Sequence, residues 1–389
     1  MNSKNTSRLQ VVDALRGFAI ISIMLLHNFE HFDFIYNPTN VPAWMVPIDK
    51  GIGDTLYFLF GGKSYAIFAL LFGLTFFIQS DNQEKKGKDF RARFAWRLII
   101  LLAFAFINSA FYEGDILSIY AILGFFLIPV AKLNTKTVFW IALFLMLQPV
   151  EWIKFFIGVQ NPGMHVPDPA SWAYFGKAGE YITKSSLVDT WIGNLTNGKM
   201  ATLNWSWEQG RILQNISLFM FGMLAGRKYL FVSSAESKRF WIKTLLVATV
   251  LFILLFIIRE DLSQWISSRA MRRPMRTIVS SYANMAFMLV LVSGFVLLFQ
   301  TKFFHKVLYI FSPLGRMSLS NYIMQSIVGS FIYFGFGLGL YQYTGGTYCL
   351  LIGIALAILQ GIFSSWWMKN HKQGPFEIIW HKATWIGSK

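Results

Sequence analysis

Charged residues and cysteine are both scarce in this chain. Of its 389 residues only 14% are charged, whereas soluble domains carry about a quarter. A single cysteine, Cys349, excludes an internal disulfide framework. In their place the chain has 55% hydrophobic and 17% aromatic residues, arranged in repeated apolar runs of about twenty residues, each able to cross about 30 Å of hydrocarbon. The sequence therefore predicts an all-α, polytopic integral membrane protein.

Basic residues outnumber acidic ones by 35 to 19, which gives a net charge of +16. They are scattered between the hydrophobic runs, so they are better explained as cytoplasmic loops than as a nucleic-acid surface. Asp13 and Arg16 interrupt the first run and no small-residue cleavage site follows, so this run is expected to be a span, not a cleaved signal. The basic segment between residues 85 and 97 then places both termini in the cytoplasm.

We expect one transmembrane domain over residues 1–389, with 158–210 a periplasmic loop and 369–389 a cytoplasmic tail. The second span is long enough to break near Gly61 and Gly62. About ten spans are predicted, near residues 12–33, 54–80, 94–112, 115–131, 137–157, 211–229, 240–258, 277–299, 313–336 and 347–368.

One group of arginines departs from this charge pattern. The predicted order of spans places these arginines in a loop on the periplasmic side. Either one span is miscounted, or the arginines face a periplasmic anion or lipid head group. The tryptophans of 158–210 leave a similar choice between interfacial anchors and an aromatic platform for a sugar or lipid. The arginines are Arg259, Arg269, Arg272, Arg273 and Arg276, and the tryptophans are Trp172, Trp191, Trp205 and Trp207.

The first span carries a stripe of polar residues. At about 100° per residue, Asp13, Arg16, His27 and His31 fall on one face of an ideal helix, whereas Glu30 falls off it. Lipid would penalise these charges, so the stripe should face the protein interior or a wet cavity. Eleven residues separate Arg16 from His27, about 16 Å of rise. This spacing predicts His27 near mid-membrane, where an imidazole can accept a proton near neutral pH.

Less specific explanations remain open for each of these residues. His27 is also suited to a helix–helix hydrogen bond, and Asp13 with Arg16 to an intrahelical ion pair. His27 and His31 have the spacing of two zinc ligands, but no third ligand is identifiable, so no metal is expected. Asn28 points about 100° away from His27. The partner that orients His27 should therefore come from another span, with Asn108, Asp115, Asn321 and Gln325 as the candidates.

Five segments, in order along the chain, carry a family resemblance. They are Asp13-Ala14-Leu15-Arg16-Gly17, residues 62–73, the turn Gly114-Asp115-Ile116-Leu117, residues 315–322 with Gln325 and Ser326, and residues 374–380. Together they resemble the YeiB-like proteins (domain-of-unknown-function family 418) of the transmembrane acyltransferase superfamily. That superfamily also includes heparan glucosaminide acetyltransferase and the acyltransferase-3 proteins. YeiB-like proteins usually have Asn at position 27. His27 here, eleven residues after Arg16, is closer to the first-span signature of the acyltransferase-3 proteins.

The resemblance implies transfer of an acyl group, such as acetyl, from cytosolic acyl-CoA to an envelope glycan or lipid in the bacterial inner membrane. His27, Asn28 and His31 would form the catalytic group, with His27 as base or acyl carrier. A second set would bind donor or substrate, although its Arg91, Arg93 and Arg97 are also explained as ordinary positive-inside residues. The full second set is Asp13, Arg16, Arg91, Arg93, Arg97, Asp115, Arg316, Asn321 and Gln325.

The residues alone leave a second class of function open. In a transporter or permease, His27, Arg16 and the outer arginines would line the path of a solute or proton. The expected partners are the bilayer, acyl-CoA and the envelope acceptor, with homo-oligomer formation an open alternative and nucleic acid not expected.

Overall fold

The computed structural model describes residues 9–387, and every regular element in that range is a helix. The helices of the first half are α1 (Gln10–Phe29), α2 (Val46–Leu59), α3 (Ser64–Glu84), α4 (Arg91–Phe111), α5 (Leu117–Gly124), α6 (Leu127–Val130), α7 (Thr135–Met146), α8 (Pro149–Gln160), α9 (Ala170–Phe175), α10 (Gly179–Ile182) and α11 (Leu187–Gly193). Those of the second half are α12 (Lys199–Glu208), α13 (Arg211–Arg227), α14 (Ala235–Trp265), α15 (Arg269–Phe299), α16 (Lys302–Tyr309), α17 (Ser312–Arg316), α18 (Ser318–Tyr333), α19 (Gly346–Asn370) and α20 (Pro375–Thr384).

Six helical segments within residues 9–387 are long and apolar enough to cross a membrane, and they make the chain a helical multi-pass membrane protein. They are α1, α2 with α3, α4, α14, α15 and α19. The pair α7 and α8, bent by 41° at its break, makes a seventh if it is one span. The predicted break in the second span is confirmed, because α2 ends at Leu59, α3 begins at Ser64, and Gly62 between them has a φ of +80°.

The other predicted spans coincide with shorter helices. The 115–131 span is divided between α5 and α6, the 313–336 span between α17 and α18, and α13 has 17 residues. The predicted loop 158–210 is largely helical, since it contains α9 to α12 and a π-helical turn, Asn194–Gly198. The last two residues of the predicted tail, 388 and 389, lie outside the described range.

Helix α1 packs against α3 and against α15 to α19 in the interior of the bundle. Two glycines permit its close approach to α17. A Cβ built on Gly17 would stand 1.9 Å from the Phe311 carbonyl oxygen, and one on Gly315 would stand 1.8 Å from that of Asp13. Small residues at such crossings let helix backbones approach closely in membranes. This contact explains physically why the first family segment ends in Gly17 and the fourth begins with Gly315.

The end of the bundle where α1 begins is called here the inner end, and the end where α1 finishes the outer end, after the topology predicted from the sequence. The two ends differ in what covers them. At the inner end, where α1 begins, α20 lies across the start of α4, and the Arg93 guanidinium donates to the Thr384 carbonyl at 2.7 Å. At the outer end, where α1 finishes, the 158–210 segment packs beside the turn between α14 and α15. Arg269 forms an ion pair with Asp168 there, and Arg273 donates to the Pro167 carbonyl at 2.6 Å. Two of the five outer arginines, Arg269 and Arg273, thus contact the 158–210 segment.

Candidate active site

The C-terminal end of α1 is a tight left-handed turn. The helix finishes at Phe29, and three consecutive residues, His31, Phe32 and Asp33, have φ of 48°, 57° and 69°. Side chains with a Cβ seldom adopt this conformation, and such strain is found mainly at functional sites. The buried Phe32 ring holds the turn, because it lies where a Cβ on Gly329 would stand, 1.9 Å from its Cε2.

This turn overturns the expected common face of His27 and His31, because helical periodicity applies only up to Phe29. His31 is buried against α19, with Nε2 2.9 Å from the Thr344 carbonyl oxygen and 3.2 Å from the Cys349 sulfur. Burial lowers the pKa of His31, so its imidazole remains neutral. His27 also lies in the last turn of α1, nearer the outer end than the expected mid-membrane position.

His27 has two polar neighbours. The Tyr112 hydroxyl lies 3.0 Å from its Nδ1 and 3.2 Å from its Nε2, and a Glu30 carboxylate oxygen lies 3.4 Å from Nδ1. Glu30 was expected off the stripe, but as the residue after the last helical turn it lies beside His27. Burial raises the pKa of Tyr112 well above its usual range, so the phenol remains protonated. Its hydroxyl interacts with the Asp33 carboxylate as well as with the imidazole, and the His27 tautomer sets which group donates in the contact with His27.

None of the four orienting partners expected from the sequence bonds to His27 within residues 9–387. The partner from another element is Tyr112, at the end of α4. Its signal in the sequence was its place two residues before the Gly114-Asp115-Ile116-Leu117 motif. The expected partners were Asn108, Asp115, Asn321 and Gln325.

Asp33 completes a cluster with His27, Glu30 and Tyr112, called here the His27 cluster. One ligand atom from each of His27, Glu30 and Asp33 lies within 4.8 Å of the others. The Asp33 carboxylate fits because residue 114 is glycine, since a Cβ there would stand 1.7 Å from its oxygen. Burial, reinforced by the Glu30 charge, raises the pKa of Asp33 to about 6.

The donor set of the His27 cluster, one imidazole and two carboxylates, is also one that a divalent metal ion uses. This donor set was not predicted from the sequence, because the helical periodicity places Glu30 off the polar stripe of the first span and Asp33 was not among the candidate ligands. The same three groups also have the geometry of a base with two carboxylates beside it.

An apolar cavity of about 330 Å³ enters the bundle from the inner end. Arg16, Ile20 and Ile23 line the cavity from α1. His27 lies on the same face of α1, four residues after Ile23. Tyr322 also lines the cavity and interacts with Tyr112, the hydroxyl partner of His27. The cavity therefore ends about one helical turn short of the His27 cluster.

The mouth of this cavity is basic. Arg16, Arg97 and Arg316 all line it. The Arg16 guanidinium lies 3.3 Å from an Asp13 oxygen, and that of Arg97 lies over the Trp380 ring at 4.1 Å. Glu377 of the C-terminal family segment closes the opposite rim and accepts from the Leu319 backbone N–H at 2.7 Å.

A second, open groove of about 520 Å³ adjoins the mouth. Lys85 and Lys86 line it together with Trp385, and Arg97 and His381 line both the groove and the cavity. The predicted arginine cluster divides here. Arg97 faces both spaces, whereas Arg93 bonds to the Thr384 carbonyl and Arg91 pairs with Asp89 at 2.7 Å, and neither lines them.

The remaining predicted site residues lie in buried hydrogen-bond networks. Asn28 accepts from the Tyr333 hydroxyl at 3.0 Å, and the Asn321 amide donates to the Leu314 carbonyl at 3.0 Å. The Gln325 amide donates to Gln360 at 2.7 Å. Each of these side chains joins helices of the bundle and none lines the cavity.

Asp115 connects the core to the outer segment. Its carboxylate accepts from the Asn108 amide at 2.8 Å and from the Leu117 backbone N–H at 3.1 Å, and it pairs with Lys199 at 3.1 Å. The backbone bond satisfies a free N–H at the start of α5. Asp115 thus fixes the turn that presents Tyr112 and Gly114 to the His27 cluster.

Comparisons with known proteins cover almost the whole chain. Residues 225–387 match the model of a family described as "Protein of unknown function (DUF418)". The chain is 28% identical to "Uncharacterized protein YxaH" of Bacillus subtilis (strain 168), over 97% of this chain and 94% of that protein. It is 24% identical to "Uncharacterized protein YeiB" of Escherichia coli (strain K12), over 96% of this chain and 95% of the relative. No solved structure matches it.

Proposed function

We propose that this chain, which belongs to the YeiB-like (DUF418) family, is an acyl-CoA-dependent membrane acyltransferase. Placement in the transmembrane acyltransferase superfamily is part of this proposal. The observation that carries it is the single face of α1, on which Arg16, Ile20 and Ile23 line the cavity and His27 follows one turn beyond.

The inner end suits a coenzyme A thioester in both shape and charge. The groove offers Lys85, Lys86 and Arg97 to the phosphates and the Trp385 ring to the adenine. The apolar cavity beyond it suits the pantetheine arm. Arg16 and His27 are about 16 Å apart along α1, so an arm entering at Arg16 carries its thioester toward the His27 cluster.

His27 acts as general base on the acceptor. It removes the proton of an acceptor hydroxyl, whose oxygen attacks the thioester carbonyl carbon. The new carbon–oxygen bond forms, the carbon–sulfur bond breaks, and the proton passes from His27 to the thiolate, which gives coenzyme A and the acylated acceptor. Tyr112 orients the imidazole, and Glu30 with Asp33 lies close enough to pair with the imidazolium that forms during the reaction.

The proposed topology follows from the same arrangement. Ten spans, with the shorter helices counted, place both termini and the groove in the cytoplasm, where acyl-CoA is found. The 158–210 segment and the acceptor then lie outside a bacterial inner membrane. The relatives are bacterial, and the basic segment between residues 85 and 97 is on the cytoplasmic side by the positive-inside rule.

The test uses the purified full chain in nanodiscs. Acetyl-CoA is expected to raise the Tm in the wild type and in His27→Gln, and to lose this effect in Arg97→Gln, since Arg97 lines the donor path. His27→Gln should abolish release of the coenzyme A thiol, because the base is removed. If acetyl-CoA neither protects nor is cleaved by the wild type, the enzyme assignment is wrong. Solute uptake by proteoliposomes would then support the transporter.

A further inference from the structure

Arg211 occupies an unusual position at the outer end of the bundle. It is the first residue of α13, and its guanidinium lies between two aromatic rings, 3.7 Å from the centre of Trp205 and 4.4 Å from that of Tyr65. Stacking of this kind holds the planar group flat and leaves its N–H edges free to donate. Within residues 9–387 no protein group accepts a hydrogen bond from it.

Two carboxylates interact electrostatically with Arg211 without forming an ion pair with it. Glu30 and Asp33 are close enough to interact electrostatically with it. Neither carboxylate of this pair lies within 4.0 Å of the guanidinium among the described ion pairs. Lys63, a buried lysine, adds a second positive charge that repels Arg211. Two cations, Arg211 and Lys63, and two carboxylates, Glu30 and Asp33, thus lie near one another at this end of the bundle, and none of the described ion pairs joins a cation of this group to one of its carboxylates.

We infer that Arg211 and the neighbouring His27 cluster form the acceptor site and that the acceptor is an anionic polyol, a hydroxyl compound carrying a phosphate or carboxylate. This inference rests on the proposed function. The anion binds the N–H edge of Arg211 through charge-assisted hydrogen bonds. A hydroxyl of the same molecule then lies at the carboxylate side, beside His27. An ammonium nucleophile fits less well, because Glu30 and Asp33 would keep it protonated.

The arrangement also assigns a role to Trp205. The sequence left open whether this tryptophan anchors the protein at the membrane interface or forms an aromatic platform for a ligand. Its ring is half-buried and covered by Arg211, so one face supports the guanidinium. Trp205 therefore acts on the acceptor through Arg211. The same chemistry is present in a soluble glycerol phosphate and in the head group of phosphatidylglycerol, and the experiment separates these two sources.

The first measurement is binding without acyl-CoA. Glycerol 3-phosphate should raise the Tm of the wild type, whereas glycerol at the same concentration should not. Arg211→Gln should weaken this binding by about tenfold or more, the usual effect of losing charge-assisted hydrogen bonds, and Arg211→Lys should give an intermediate value. Arg269→Gln is the matched control, because it removes one positive charge at the same end where Arg269 pairs with Asp168.

The second measurement is transfer with acetyl-CoA. Glycerol 3-phosphate in solution, or phosphatidylglycerol in the nanodisc compared with phosphatidylcholine, should accelerate thiol release. Arg211→Gln should raise the acceptor KM by a similar factor without changing protection by acetyl-CoA. Equal binding of glycerol and glycerol 3-phosphate, or equal binding by wild type and Arg211→Gln, overturns the inference. If acetyl-CoA does not raise the Tm of the wild type, the proposed function is overturned instead. The binding of glycerol 3-phosphate still tests the role of Arg211 in that case.

Discussion

The Tyr112 hydroxyl lies 3.0 Å from Nδ1 of His27, although 85 residues separate the two in sequence. The contact joins the end of α4 to the end of α1, and the Tyr112 ring also packs against that of His27 at a centroid distance of 4.7 Å. Tyr112 itself is buried. The hydroxyl thus fixes the orientation of the base, while the ring fills the space around it.

Tyr112→Phe separates these two roles. The variant retains the packed ring, so the Tm should change little. The turnover number should fall by up to about a hundredfold, the usual effect of a misoriented reacting group. Protection by acetyl-CoA should persist, because Tyr112 does not line the cavity. The turnover and the Tm are measured together, and a large fall in Tm with unchanged turnover per folded molecule would show that Tyr112 is only structural.

A second prediction concerns Glu113, the residue after Tyr112. Its side chain is buried, one carboxylate oxygen accepts from the Tyr181 hydroxyl at 2.7 Å, and the other has no partner within residues 9–387. Burial raises its pKa from 4.5 to about 8. The folded protein therefore binds a proton that the unfolded chain releases above its ordinary pKa.

The sign of the pH effect follows from this difference. The stabilisation is fully present below pH 4.5 and is lost as the pH rises through about 8. The loss is on the order of a few kcal/mol. Glu113→Gln removes the titration, so its Tm should fall less than that of the wild type between pH 5 and pH 9. Parallel Tm curves for the two proteins would contradict a protonated Glu113.

Gly114 is predicted to be essential to the His27 cluster. An added methyl group would stand 1.7 Å from an Asp33 oxygen and 2.5 Å from the Tyr112 hydroxyl oxygen. Gly114→Ala should therefore displace Asp33 and cost about 1–3 kcal/mol. Gly294→Ala is the matched control, since nothing lies within 4 Å of its added Cβ in α15. This control should be neutral or stabilise by up to about 1 kcal/mol. Equal Tm values for the two variants would show that Asp33 does not occupy the space beside Gly114.

The sequence predicted a helical multi-pass membrane protein and one common face for Arg16 and His27, for a physical reason. Between those residues α1 is a continuous helix, so periodicity assigns Arg16 and His27 to one face. The same rule failed at His31, because α1 ends at Phe29 and three left-handed residues follow from His31. The packing of Phe32 against Gly329 helps to hold that turn, and a contact between such distant residues has no periodic signal.

Other parts of the site were named by the sequence without their physical role. The family segments contain three such residues. Gly114 makes room for the Asp33 carboxylate, and Gly315 packs against the backbone of α1. Glu377 accepts from the backbone N–H of Leu319 at the start of α18. Arg211 was missed. Its partner Trp205 was noted only as one of several tryptophans, because stacking across the turn between α12 and α13 depends on a left-handed Gly210 with φ of +65°.

The two histidines of the first span provide the clearest test of the corrected geometry. His31 bonds to Thr344 and lies beside Cys349, away from the cavity, whereas His27 lies beside Tyr112 and Glu30. His31→Gln should therefore lower the Tm, by about 1–3 kcal/mol of stability for disrupted buried hydrogen bonds, and leave turnover per folded molecule near the wild-type value. His27→Gln should do the reverse, because its side chain is partly solvent-accessible at 17% exposure and its contacts serve the reaction. Turnover is normalised to the folded fraction measured by Tm analysis. If His31→Gln abolished transfer while remaining folded, both histidines would belong to the reacting centre, as the helical periodicity first indicated.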